Sequence, residues 1–396
     1  MKSLRERLRQ LEPSPRWSFE LRRPATESLL AAEPTFEAIG GGALRRVLLL
    51  PDLPPPDALD AAAWRLFACA ERRPPLPWIV FDCETTGLES GAGSFIFLLG
   101  WVEWRATGSR CIQFFLPEPS AEPGMLDAFE AALEEAGALL SYNGKSFDLP
   151  RVRSRLALQR RTFSGETLPH MDLLHPCRRI TRNWLGDSRL GTMEREFLGR
   201  ERERDLSGAE VPEVYRRFLR GDADAPILRV LEHNRRDVIH LSELAAVLAS
   251  RVNSEHGLPA TARLEVARLY EARGELAGAR ARYAALAAER GEVGRRALFY
   301  SGQLLKRARD FGAAQACFEE LLRRQPDSVQ ARVELAKLLE HRLRDAAAAR
   351  RLTLEALGAL DAAELVSPRP TARRRSERKA LRHRLQRLER KCGSRR

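Results

Sequence analysis

Cysteine is scarce in this chain of 396 residues: the six stand at positions 69, 83, 111, 177, 317 and 392, and no two form a C-x-x-C pair. That scatter excludes a zinc ribbon or a disulfide framework and points to a reducing, cytoplasmic setting. Long hydrophobic runs are missing too. Nothing approaches the ~18–20 apolar residues needed to span a bilayer, and the longest run, FIFLLGWV at 95–102, reads as a buried strand. The first residues, MKSLRERLRQLE, lack the apolar segment of a secretory signal. Ser3 and Glu6 instead fit the capping box of a short surface helix. Acidic residues are in deficit, with a net charge of +13, but the deficit is local. From Ser367 onward thirteen Lys and Arg face two Glu, so about +11 lies in that tail and the rest of the chain is nearly neutral. A high pI therefore describes an appendage and locates no groove for a polyanion.

What is present is enough apolar residue, 44%, for most of the chain to fold. The length exceeds one compact core and predicts two domains with tails. Residues 1–77 read as an N-terminal extension of uncertain fold. It holds a Gly-rich turn at Gly40–Gly42, a strand at 46–50 and two Pro clusters. Residues 78–250 read as one α/β domain. WIVFD, SFIFLLGWVEW and RCIQFFLP form a three-strand meander, followed by a helix around 125–136, a strand ALLSY at 138–142 and a helix from about Leu149. A strand near 167–172 and a long helix over 224–250 close the domain, which predicts a mixed sheet covered by helices. Residues 261–360 are Ala-, Leu- and Arg-rich. Tyr270, Leu305 and Leu339, then Ala279, Ala314 and Ala348, then Tyr283, Phe318 and Leu352 recur at about 34–35 residues, as in tetratricopeptide-like repeats. A plain helical bundle is the simpler alternative. Residues 367–396 form the basic tail.

The chemistry begins at WIVFDCETTGL (78–88). Side chains two apart on a strand share a face, so Asp82 and Glu84 emerge together while Phe81 and Cys83 turn the other way. Like charges at that spacing repel unless a cation lies between them, and oxygen ligands suit Mg²⁺ or Mn²⁺. An acidic strand end without a role would look the same. A second element is NGKSFD at 143–148, between a strand and a helix. Asp148 there either caps the helix or is aimed at a neighbouring strand end by the turn of Asn143, Gly144 and Phe147. The third is LEHNRRDVIHL at 231–241, where His233 and Asp237 lie four apart on one helical face.

In that order, D-x-E-T-T-G, N-G-K-S-F-D and H-x-x-x-D resemble the exonuclease motifs of the DEDD superfamily on the ribonuclease H-like fold. SGAGSFIFLLG (90–100), YNGKSFDLP (142–150), HMDLLHPCRR (170–179), SRLGTMEREFLG (188–199) and LEHNRRDV (231–238) are similar to its YprB-like branch, over about 78–250. The resemblance implies two-metal, 3′→5′ hydrolysis of nucleic-acid phosphodiesters with two Mg²⁺ or Mn²⁺ ions. Asp82 would bridge both ions, Glu84 and Asp237 would complete one site, and Asp148 would hold the second mainly through water. His233 would orient or deprotonate the attacking water. It has the residue type of one DEDD class at the spacing of the other, four residues before the last Asp, which leaves the base open. Thr85, Asn143 and Lys145 are candidate substrate contacts, with Arg151, Arg178, Arg179 and Arg182 as candidate phosphate contacts. Asp172 is expected to cap the helix from Leu173. The expected partners are RNA or DNA, with a protein partner possible through the helical repeats and no membrane. A structure-selective endonuclease on the same fold, and a non-catalytic nucleic-acid-binding scaffold, are the alternatives.

Overall fold

The computed structural model describes residues 24–87, 94–202, 206–222, 226–366 and 371–393. The expected capping box at Ser3 and Glu6, and the first residues of SGAGSFIFLLG, lie outside these. The chain divides into two units, Met1–Cys177 with Ser188–Ser250, and Arg178–Asp187 with Arg251–Arg396.

In the first unit the meander expected from alternating apolar runs is β3 (Trp78–Thr85), β4 (Ile96–Trp104) and β5 (Arg110–Phe115). Two earlier strands, β1 (Phe36–Ala38) and β2 (Leu44–Leu49), follow helix α1 (Pro24–Ala32). The segment read as an extension therefore belongs to the sheet, since β2 pairs antiparallel with β5 over six residues. Helix α2 (Ala61–Ala68) follows, capped by Asp60, whose carboxylate accepts from Ala63 N at 2.8 Å. After β5 come α3 (Glu122–Glu134), β6 (Ala138–Ser141), α4 (Asp148–Leu158) and β7 (His170–Asp172). Among the described residues the sheet has seven strands in the order β1-β2-β5-β4-β3-β6-β7. β3, β6 and β7 run parallel, whereas β3 and β4 are antiparallel. The carboxyl ends of three parallel strands thus open on one edge of the sheet, where a binding crevice forms in such folds.

Strand alternation gives the sheet two cores. Ile79, Phe81, Cys83, Trp101 and Phe114 pack against Met125, Phe129, Val152 and Leu156 of α3 and α4. On the other face Leu44, Leu98 and Phe115 pack against α6 (Val211–Leu219) and α7 (Ile227–Ser254) through Tyr215, Phe218, Val230 and Leu231. Helix α5 (Leu174–Thr181) lies between β7 and these two in the chain. The second face is the one that carries Asp82 and Glu84. Its apolar cover stops where the polar site begins.

The second unit is helical: α8 (Ala260–Ala272), α9 (Leu276–Ala287), α10 (Glu292–Arg307), α11 (Phe311–Arg324), α12 (Val329–Leu338), α13 (Ala346–Val366) and α14 (Ala372–Gly393). The second helices of successive pairs start 35 residues apart, at 276, 311 and 346. Tyr283 and Phe318, and Ala279 and Ala314, occupy matching buried positions. In the third pair the buried alanine is Ala349, while Ala348 is half-buried. Ala349 follows Ala314 by 35 residues, in step with the helix starts, and a π turn at Leu339–Leu343 precedes that helix. Within the basic tail residues 372–393 are a folded helix: α14 buries Leu381 against Ala356 and Leu360, and Leu388 in the cluster of Leu335 and Leu339.

Candidate active site

The site forms where β3 ends. Asp82 and Glu84 are only partly covered, while Cys83 between them is buried in the opposite core. The register of β3 against β4 slips between Glu84 and Thr85, and this bulge ends regular pairing beside the carboxylates. Thr85 itself is buried and its hydroxyl donates to the Gly87 carbonyl at 2.8 Å, closing the turn of Thr-Thr-Gly.

Asp148 arrives from the next parallel strand. Asn143 takes a left-handed backbone, φ 69°, as the chain leaves β6, and Asn tolerates this conformation better than most residues. A Cβ on Gly144 would lie 2.5 Å from Ser141 Oγ, so the turn closes only with glycine there. Asp172, at the end of β7, fixes the same turn from outside. Its Oδ1 accepts from Asn143 N at 2.7 Å and from Leu174 N at 3.1 Å, and its Oδ2 accepts from Lys145 N at 3.1 Å. The cap expected of Asp172 is one of three bonds, and the other two hold the NGKSFD loop. Asp148 is buried, and its Oδ1 accepts from Cys83 N at 3.3 Å and Cys83 Sγ at 2.9 Å. Its side chain is thus bonded to the strand that carries the D-x-E pair, and it makes no capping bond to its own helix among those found.

Helix α7 completes the group. His233 Nε2 stands 3.8 Å from Glu84 Oε1 and 3.6 Å from Asp237 Oδ2, between a strand residue and a residue of its own helix. Asp237 Oδ1 accepts from Arg202 Nη2 at 2.6 Å, and Arg202 is held in turn by Glu194, which also meets His240 Nδ1 at 3.1 Å. Asn234 Nδ2 donates to Asp82 Oδ2 at 3.0 Å and to the Asp82 carbonyl at 3.1 Å. Sequence reasoning named neither Arg202, Glu194 nor Asn234 as a site residue. Glu194 and Asn234 stand inside the quoted SRLGTMEREFLG and LEHNRRDV, but the motifs do not say which residues these two bond.

The electrostatics follow from burial and crowding. The Asp82 carboxyl is pushed well above the usual range by burial, then by Asp148, Glu84 and Asp237, against one opposing bond from Asn234. Burial likewise raises Asp148, to about 6, in spite of its bonds to Cys83 and the Arg151 charge. Asp237 is raised by burial although His233 and Arg202 oppose it. Glu194 goes the other way: burial would raise it, but Arg202 and His240 outweigh that and hold it down at about 2. Four carboxylates therefore converge, with oxygen donors of the kind hard divalent cations prefer. Among the described residues no three His, Cys, Asp or Glu side chains close into a ready ligand cluster; Asp237 is engaged by Arg202 and Asp148 by Cys83.

The remaining candidates are placed less centrally. Asn143 spends its backbone N–H on Asp172. Lys145 is exposed, and its charge bears on His170. Arg151 is buried, lies 3.4 Å over the Phe147 ring and donates to the Phe147 carbonyl. Arg179 donates to the Arg268 carbonyl and Arg182 pairs with Glu265, all within the helical unit. These two arginines serve that unit's own packing.

Comparison with known proteins agrees with this fold. Residues 79–249 match a family, RNase_H_2, described as RNase_H superfamily. The chain is also 31% identical over 270 residues to the uncharacterized protein YprB of Bacillus subtilis (strain 168). That alignment covers 67% of this chain and 65% of the relative, so the chain spans just under two thirds of that protein's length. With β3 inside a mixed sheet and its carboxylates at the strand end, residues 79–249 have a ribonuclease H-like fold and are similar to the RNase_H superfamily.

Proposed function

We propose that the protein is a divalent-metal-dependent nuclease that hydrolyses nucleic-acid phosphodiesters from the 3′ end with two Mg²⁺ or Mn²⁺ ions. The observation that carries this reading is the crowding of Asp82 by Asp148, Glu84 and Asp237 at one crevice, an arrangement that is costly without a cation. Similarity to the RNase_H superfamily supports nuclease chemistry on RNA or DNA. Asp82, Glu84, Asp148 and Asp237 are the residues to hold the ions, which when bound acidify the attacking water and offset charge on the phosphate. Around them the chain's own groups set geometry. Asn234 fixes one oxygen of Asp82, Cys83 fixes one of Asp148, and Arg202 holds Asp237 while Glu194 holds Arg202. His233 would take the proton of the attacking water, a role that its position between Glu84 and Asp237 supports. The helical unit is a surface for a protein partner or for substrate.

Purified protein should release nucleotides from end-labelled RNA or DNA with Mn²⁺ or Mg²⁺, and EDTA should abolish release. Asp82→Ala and Asp237→Ala should each abolish it while the circular dichroism spectrum stays that of the wild type. No product from any single- or double-stranded substrate with either metal would sink the reading. Cutting of circular substrates as fast as linear ones would replace exonuclease by endonuclease.

A further inference from the structure

Behind Asp82 a row of buried polar side chains crosses the sheet. The registers Arg46↔Gln113, Gln113↔Gly100 and Gly100↔Asp82 place β2, β5, β4 and β3 residues in one line on the α7 face. Directly paired residues point the same way. Gly100 leaves its place in that line empty, and Asn234 of α7 fills it. A Cβ on Gly100 would lie 2.1 Å from Asn234 Oδ1. Gln113 and Asn234 are fully buried and Arg46 almost so.

The bonds along this row have one direction. Arg46 donates through Nε, at 3.1 Å, and Nη2 to Gln113 Oε1, and it also pairs with Glu33. A guanidinium can only donate, so the oxygen of the Gln113 amide must face it. The Gln113 Nε2 group then points the other way and donates to Asn234 Oδ1 at 2.8 Å and to the Leu231 carbonyl at 3.0 Å. Asn234 must in turn present Nδ2 to Asp82. Every N–H of both amides is used, and neither amide can flip without setting oxygen against oxygen.

We infer that the Arg46–Gln113–Asn234 row is a positioning device for Asp82. It anchors Oδ2 and leaves Oδ1 for the group that Asp82 forms with Glu84, Asp148 and Asp237. The inference rests on the metal-dependent reading above. It makes the β2 segment part of the site although none of its residues reaches the crevice. Groups that orient a metal-ligating side chain typically change metal affinity or rate by about 10–100-fold when altered.

Gln113→Glu tests it with a change of one atom. The new carboxylate keeps the Arg46 pair and turns an acceptor toward Asn234, which drives the Asn234 oxygen toward Asp82. Mn²⁺ affinity, followed by electron paramagnetic resonance, should fall about 10–100-fold, and kcat should fall with KM for the nucleic acid unchanged. Arg46→Met should weaken Mn²⁺ binding and Arg46→Lys, another donor-only cation, should restore it, which supplies the test if Gln113→Glu does not fold. Wild-type Mn²⁺ affinity in both Gln113→Glu and Arg46→Met, or equal affinities in the two Arg46 variants, overturns the positioning role and leaves the nuclease reading standing. A wild-type protein that binds no Mn²⁺ and releases no nucleotide overturns the nuclease reading itself, and this inference with it.

Discussion

Asp148 is destabilising as an anion in the metal-free fold. Its carboxyl titrates at about 6 in the folded protein against about 3.9 when unfolded. The folded state therefore binds the proton more tightly, and stability is lost as pH rises from about 4 to about 6. Metal-free protein should have a higher Tm at pH 5 than at pH 7.5, and a divalent cation should raise Tm more at pH 7.5. Asp148→Asn keeps an oxygen to accept from Cys83 and removes the charge. At pH 7.5 without metal it should be more stable by about 3 kcal/mol, yet inactive; an unchanged Tm would show that the charge costs nothing. His233 carries the opposite kind of prediction. His233→Ala should lower kcat by about 100-fold or more if the imidazole moves the proton, and a loss within a few-fold would remove it from that role. Asp82, Glu84, His233 and Asp237 were legible in sequence because alternation and helical spacing put each pair on a face, and Asp148 because the NGKSFD turn sets it between a strand and a helix. Asn234 and Arg202 were not, since their significance lies in partners 152 and 35 positions away.

At the scale of the element, Gly100 decides whether α7 can lie against β4. Gly100→Ala should cost about 1–3 kcal/mol, as overpacking a tight core does, measured by urea unfolding. Because the displaced group is Asn234, activity should also be lost at temperatures where the variant remains folded. A variant with wild-type stability and rate would show that the helix simply shifts. From the sequence Gly100 is one more residue of an apolar run, because its role is a close approach from a helix more than a hundred residues later. Strand β2 shows the same limit. RVLLL was readable as a strand from its composition, but pairing with β5 joins segments about 65 residues apart, and local pattern carries no such register. The meander and the strand β6 were readable, since turns and apolar runs mark them locally, while the parallel pairing of β6 with β3 was not.

For the whole molecule, the charge and the packing of the C-terminal segment belong to one helix. Leu381 and Leu388 are buried, and Glu340 accepts from Arg384, Arg387 and Lys391 at 2.7 to 2.9 Å. Composition marked this segment as a basic tail because thirteen cations hide two well-placed leucines and a distant acid. Burying a leucine contributes about 1.5–3 kcal/mol, and losing the cations would leave the buried Glu340 carboxylate unpaired, which is destabilising too. Removing residues 372–396 should therefore lower the Tm of the helical unit as well as any nucleic-acid affinity, and deletion alone cannot separate the two effects. Lys379→Gln with Arg382→Gln does separate them. Both side chains are exposed on α14, away from the buried leucines and outside the Glu340 clamp. If α14 meets phosphates, the double variant should keep the wild-type Tm. Its plot of log affinity for single-stranded nucleic acid against log salt should flatten by up to about 1.4, near 0.7 for each lost phosphate contact. An unchanged slope would mean that these cations face solvent only, and that α14 serves to close the helical core.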